Sequence, residues 1–406
     1  MAFASAQSGE PTLLVPDKDA DGLSAGVILY RTLTALGLSQ SNISIHIVAK
    51  GRSIHDAAER DLMATKYDPA YVIVLDQGSF PGPPIISDAD ARCLILDHHL
   101  SDGFPQDATV VPACHYPPVA TTSLLTYLIC EAVHPSPDAF KQTCDYLACI
   151  GTHGDLGNTL KWLPPFPDLK PALKKYSKSA VNAAVSLLNA PRRTAQYDVL
   201  TAWAALLKAS SPKDLLKHPR LLEARAEINA EVERHTHSPP RFTPDGRIAV
   251  LRIKTAAQIH PVIATRWAGY LKSNRLEIVM VANSGYLPGM VNFSCRIARC
   301  ARARTASPDN HGKEINIIES LNAAAGLSDD GLAGRLGPSF ARGHREASGG
   351  IVPEAAFEEL LILMQVGQRP AEEEDEAGSR KPSKKSKNGK IESIQKNTLS
   401  NYFGKA

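Results

Sequence analysis

The chain has 406 residues, 43% hydrophobic and 21% charged, with a formal net charge of +3. It is too long for one ordinary core and apolar enough for two. Seven cysteines, an odd number without C-x-x-C spacing, exclude a disulfide framework and a zinc ribbon; with no apolar run of about 18 residues and no signal-type segment, the sequence predicts an intracellular protein with no membrane partner.

Taken in chain order, apolar runs at 11–16, 43–48, 71–76, 92–97 and 108–112 read as buried strands. They alternate with helical stretches such as 22–36, the pattern of a parallel α/β domain. Acidic residues gather at the ends of these runs. Asp17, Asp19 and Asp21 alternate in LLVPDKDADGLSAG ahead of Gly22, Asp76 closes YVIVLD, and Asp97, His98 and His99 close RCLILDHH. Helices dominate 119–152, and Asp155 ends YLACIGTHGD. A carboxylate at the carboxyl end of a buried parallel strand points into the crevice where open α/β sheets bind ligands. Aspartates gathered there repel one another and protonate unless cations neutralise them, so the pattern predicts bound metal. Oxygen ligands with an imidazole suit manganese or magnesium, and the imidazole favours manganese. An EF-hand is excluded, because the glutamate it needs would fall at Ile28.

A polar, proline-bearing passage leads to helices near 178–190, 195–208 and 213–235, read as a connector over 166–239. From about 240, RIAVLRI, LEIVMVAN and MVNFSCRIA read as strands, with helices near 257–271, 313–325 and 353–366, giving a second, mixed α/β unit over 240–367. Residues 368–406 change abruptly to an acidic block and then a basic one, a composition expected to be disordered. Residues 371–406 hold eight Lys or Arg against six Asp or Glu, which accounts for +2 of the +3 and leaves the rest nearly neutral.

At these residues the sequence resembles the DHH phosphoesterase family, most closely its RecJ-like branch. The matching motifs are D-K-D-A-D-G at 17–22, Asp76 in VLDQGS, Asp97-His98-His99, and Asp155 in GTHGD. The resemblance implies a DHH catalytic domain over 1–165. In it Asp17, Asp19 and Asp76 would hold one ion, and Asp21, Asp76, His98 and Asp155 a second, with Asp76 bridging. Two such ions, about 3.5–4 Å apart, activate a water for in-line phosphoryl displacement. His99 would then act on the scissile phosphate as hydrogen-bond donor or acid, with Asp97 orienting an imidazole.

The family's smaller associated domain supplies substrate contacts through a serine-x-arginine strand and a glycine-histidine loop. Here these would be Ser294 and Arg296 in GMVNFSCRIARC, and Gly343, His344, Ala347, Gly349 and Gly350 in RGHREASGG. Of the nearby arginines Arg296, Arg299, Arg302 and Arg304, only Arg296 is expected in a phosphate groove. VSLLNAPRRT is similar to an N-A-x-x-R element, which nominates Asn189 and Arg192 or Arg193. The final IQKNTLSNYFGKA resembles a sliding-clamp (PCNA) interaction box, with Leu399, Tyr402 and Phe403 as the plug and Lys396 where the box wants glutamine. The neighbouring basic cluster reads as a nuclear signal, with a cytoplasmic location as the alternative. Three functions follow: a RecJ-type exonuclease on single-stranded nucleic acid; a phosphodiesterase or phosphatase for short oligonucleotides, nucleotide bisphosphates or cyclic dinucleotides; and a non-catalytic replication scaffold, against which the complete ligand set argues.

Overall fold

The computed structural model describes residues 1–368 apart from 89, 116–117 and 306–313. The clamp-box residues Leu399, Tyr402 and Phe403, and the charged tail from 369 onward, lie outside the described residues. The chain divides into two compact units, Met1–Ala230 and Glu231–Ala406.

In chain order the first unit begins with α1 (Ala2–Ser8), β1 (Thr12–Pro16), α2 (Ala20–Ala35), β2 (Ile43–Ile45) and α3 (Ala57–Tyr67). It continues with β3 (Tyr71–Leu75), β4 (Arg92–Asp97), β5 (Ala108–Pro112), α4 (Thr122–Val133) and α5 (Pro137–Leu156). The helices α6 (Lys170–Tyr176), α7 (Lys178–Leu188), α8 (Val199–Lys208), α9 (Pro212–Leu215) and α10 (Pro219–His235) follow. All five strands are parallel, in the order β2-β1-β3-β4-β5. This is the α/β architecture that the alternating apolar runs predict.

Every residue of β1 and β3 is buried, because both sheet faces are covered. The side-chain alternation of a strand sorts them. Leu14, Ile73, Leu75 and Leu96 join the core with α2, α4 and α5, while Leu13, Val15, Val72, Val74 and Ile95 pack with Met63 on the other face. The segment read as a connector buries Leu169, Val181, Leu187, Trp203, Leu206 and Leu221 in that first core too.

Several boundaries move for local reasons. The helical run 119–152 is two helices, because Ser136 caps a new one, accepting from Ala139 N–H, and Pro137 opens it. The run 213–235 is likewise interrupted, with Pro219 starting α10 afresh.

The second unit contains β6 (Arg241–Phe242), β7 (Ile248–Ile253), α11 (His260–Tyr270), β8 (Ile278–Asn283), β9 (Met290–Ile297) and α12 (Arg299–Thr305). Then come α13 (Ile317–Ala325), α14 (Leu332–Leu336), β10 (Arg342–His344), β11 (Ala347–Pro353) and α15 (Glu354–Leu363). Its mixed sheet runs β10-β11-β9-β8-β7-β6, parallel only between β7 and β8. The glycine-rich stretch expected as a loop is a hairpin, β10 to β11. A Cβ on Gly349 would lie 2.3 Å from the Phe293 carbonyl oxygen, and one on Gly350 2.6 Å from that of Ser339. The close approach these two glycines permit is therefore to neighbouring backbone.

Candidate metal centre

Three adjacent strands of the first unit end together. Pro16 pairs with Leu75, and Leu75 with Leu96, so Asp17, Asp76 and Asp97 come next in line along one edge of the sheet. Asp17 N–H donates to the Leu75 carbonyl and Asp76 N–H to that of Leu96, each at 2.9 Å, which extends the ladder to the two carboxylates. Asp76 itself is held at φ 64° and is 2% exposed. A left-handed backbone at a buried non-glycine costs about 1–3 kcal/mol, a strain that recurs at functional positions.

The start of α2 brings in the next pair. Asp19 caps the helix, its Oδ1 accepting from Asp21 N–H at 3.0 Å and Gly22 N–H at 3.2 Å. Gly22 is required here, since a Cβ would meet the backbone N and O of Asp17 at 2.7 Å. Asp21, fully buried, accepts from the first N–H groups of α4: Thr122 at 2.7 Å and Ser123 at 3.0 Å. The Thr122 hydroxyl donates to Asp76 Oδ1 at 3.0 Å. Asp155 arrives on the last turn of α5. That helix approaches closely enough that a Cβ on Gly151 would stand 2.1 Å from Ser123 Oγ and 2.7 Å from Asp21 Oδ1.

These placements bring the six nominated ligands together. Single atoms from Asp17, Asp19 and Asp76 lie within 4.8 Å of one another, as do atoms from Asp21, Asp76, His98 and Asp155, and Asp76 belongs to both groups. A third group joins Asp76, His98 and His99. His98 Nε2 stands 3.0 Å from Asp155 Oδ2 and 3.2 Å from Asp76 Oδ1, yet it is buried with no well-directed hydrogen bond. An imidazole nitrogen surrounded by carboxylates but aligned with none of them fits a shared cation.

The electrostatics agree with that fit. Burial, with Asp155 and Asp19 adding like charge, pushes Asp21 up to about 7. Burial and the Asp21 charge push Asp76 well above its ordinary value. His98 is lowered by burial, but Asp155 and Asp76 overcome this and hold it at about 11. At Asp17 burial also opposes ionisation, and Lys18 and Arg192 prevail to hold the carboxyl below its usual range. A site that leaves two buried carboxylates short of positive charge has the donor set for a divalent ion.

Asp97 is turned away from this cluster. It is 1% exposed, accepting Ser79 Oγ–H at 2.6 Å and Ser79 N–H at 3.1 Å on Oδ2. Its Oδ1 takes the N–H groups of His98 at 2.8 Å and His99 at 3.2 Å, and His99 Nδ1 at 2.8 Å. Burial works against the Asp97 charge, but the His99 contacts lower its pKa, while the same bond raises that of His99. The His99 ring is thereby oriented with its side chain 54% exposed.

Asn189 and Arg192 also reach this site. Asn189 Oδ1 accepts from Ala20 N–H at 3.3 Å and from Arg192 Nε–H at 3.1 Å, and Arg192 Nη2 is 3.9 Å from Asp19 Oδ2. Arg193, next in sequence, is lowered by burial to about 10. Ser294, Arg296, Gly343, His344, Gly349 and Gly350 belong to the second unit. They share three adjacent strands, with Ser294 opposite Gly349 and Arg296 opposite Ala347, and Arg296 Nη1 donates to Ser294 Oγ at 2.8 Å.

Some members of the site escape sequence reading. Lys18 pairs with Asp17 at 3.0 Å, but a lysine between two aspartates looks like an ordinary solvated charge. Thr122, Ser123 and Ser79 hold the carboxylates in place. Only Thr121-Thr122-Ser123 as a helix-start signal hints at this.

Residues 11–152 match the model of the DHH family, N-terminal domain. No curated protein matches the sequence. Among solved structures, RecJ in complex with Mn2+ from Thermus thermophilus superposes with TM-score 0.59 at 17% identity. That match covers 91% of this chain and 55% of RecJ, so the chain spans little more than half the length of that relative. An exonuclease RecJ bound to manganese gives 0.55 at 19% identity, covering 89% of this chain and 92% of that one. The DHH domain of a member of the s1p family of ribosomal proteins gives 0.58 at 13%, covering 90% and 88%. Residues 11–152 thus match a DHH-family N-terminal domain, and the chain is similar in fold to RecJ. Its acidic cluster could hold metal, and no helix among the described residues is long and apolar enough to cross a membrane.

Proposed function

We propose that the chain is a divalent-metal-dependent phosphodiesterase that hydrolyses single-stranded nucleic acid from an end, as a RecJ-type exonuclease. The observation that carries this reading is Asp76, a buried and backbone-strained carboxylate common to two ligand groups. Asp17, Asp19 and Asp76 would hold one manganese or magnesium ion, and Asp21, Asp76, His98 and Asp155 a second. Divalent ions at such a pair of sites supply a nucleophilic water at neutral pH and charge neutralisation on the phosphate.

The chain's own groups have separate tasks. Asp97 accepts the His99 Nδ1–H and favours the imidazolium form, in which His99 Nε2 also carries a proton to donate to a phosphoryl or leaving oxygen. Arg192, steadied by Asn189, can grip a phosphate bidentately. Ser294, Arg296 and the β10–β11 hairpin with Gly343, His344, Gly349 and Gly350 serve substrate in the second unit. The similarity to an exonuclease RecJ bound to manganese supports an exonuclease activity and the choice of ion. The tail carries the clamp (PCNA) contact through Leu399, Tyr402 and Phe403, beside a basic nuclear signal.

The test is one parallel assay with manganese. End-labelled long single strands, di- to pentanucleotides and a nucleotide bisphosphate are offered to the full chain. Progressive shortening of the long strands is expected. Turnover confined to the short substrates would replace this reading with the small-substrate one, which the nearly neutral composition outside the tail favours.

A further inference from the structure

A second cluster of cations lies behind α5, outside the ligand groups. Residues 161–178 contain five lysines and one aspartate, so this stretch alone carries more net positive charge than the +3 of the whole chain. Three of them, Lys161, Lys170 and Lys178, line a cavity of about 340 Å³ together with His153, Trp162 and Leu173, and no carboxylate lines it. None of the three lysines forms an ion pair among the described residues. Trp162 is 5% exposed, and its buried indole Nε1–H finds no acceptor. Leu163, also lining the cavity, is 53% exposed.

Three unpaired ammonium groups at one opening repel one another, whereas the indole N–H is closed off from that opening. A phosphate relieves the repulsion by neutralising the lysines. An exposed leucine beside it offers the apolar surface on which a base can lie.

The position is informative. His153 and Asp155 share the last turn of α5, and two residues turn an α-helix by about 200°, so cavity and ligand cluster lie on roughly opposite sides of one helix, about 10 Å apart. A strand has to pass round the helix, roughly 16 Å or half the girth of a cylinder about 10 Å across, which at about 3.4 Å per nucleotide takes about five nucleotides. We infer that Lys161, Lys170 and Lys178 form a second phosphate subsite that holds a single-stranded nucleic acid a few nucleotides away from the bond being cut. This rests on the proposed nuclease reading and deepens it, since it makes chain length a determinant of binding.

The test uses the full chain carrying K161Q, K170Q and K178Q together, exposed changes that leave the fold intact by melting temperature. Binding of a labelled single-stranded 12-mer and of a dinucleotide is read by fluorescence anisotropy in EDTA, where no hydrolysis occurs. Against wild type, the 12-mer should bind at least about 5-fold more weakly in the triple variant at low salt, and its log–log salt slope should fall by about 2, as expected for the loss of three phosphate contacts. The ratio of 12-mer to dinucleotide affinity should fall with it. Equal affinity and slope in wild type and triple variant, equal losses for both ligands, or a wild type that binds no strand would each overturn the subsite. A wild type that binds strands but hydrolyses none in manganese would instead defeat the nuclease reading, while the binding difference still decides the subsite.

Discussion

Stripping divalent ions and raising the pH should together weaken the first unit, because Asp21 is buried where its charge is unwelcome. In the unfolded chain this carboxyl titrates near its ordinary 3.8; in the folded unit burial and the neighbouring Asp155 push it up to about 7. Between those values the native state binds the extra proton, so stability falls as pH rises, with the loss complete above the folded pKa. The rise corresponds to roughly 4 kcal/mol, which in a unit of this size is about 10 °C in melting temperature. The assay is thermal unfolding in EDTA from pH 4 to 8, for wild type and Asp21→Asn. The amide removes the titration, so the variant's curve should be shallower. A constant offset is also expected, because one of the two N–H donors from Thr122 and Ser123 loses its acceptor. Manganese should raise the wild-type melting temperature most at the high end, where the ligands are already deprotonated. A wild-type curve in EDTA no steeper than that of Asp21→Asn would refute the claim that this carboxylate is stored at a cost until a cation arrives.

The other expectations concern single positions. Gly22→Ala drives a methyl onto the Asp17 backbone at 2.7 Å, so it should cost about 1–3 kcal/mol by denaturant titration and weaken manganese binding by calorimetry; an unperturbed variant would mean that α2 can slide freely. Asp76→Ala removes the ligand common to both groups and should abolish hydrolysis together with most metal uptake, whereas unchanged metal content with no activity would remove Asp76 from the ligand set. Asp97→Asn should cost about 10–100-fold in turnover with the protein still loading metal, because it disturbs the bond that orients His99 rather than a ligand; unaltered turnover would show that His99 needs no such support. Deleting residues 391–406 should abolish clamp binding in a pull-down and leave hydrolysis intact, and undiminished clamp binding would discard the box.

The five parallel strands were legible because central strands buried on both faces read as unbroken apolar runs, and an aspartate directly after such a run stands out. Less legible were boundaries governed by one residue, such as the restart of a helix at Ser136-Pro137. The hairpin from Arg342 to Pro353 was also hidden, since glycines that signal a loop also allow strands to pack closely. Ser79 carried no visible signal, and Thr122 and Ser123 none beyond that of a helix start, because a small hydroxyl residue looks the same whether it faces water or holds a carboxylate.

The order of acidic and imidazole residues along the chain, and the strand ends they occupy, follow from local pattern and need no partner to define them. That Asp21 and Asp76 are buried, that His98 stands among carboxylates without a bond to any, and that lysines 161, 170 and 178 share one opening are consequences of packing. Burial and distance between residues remote in sequence set the local dielectric and the pairing of charges, and only the folded chain has values for them.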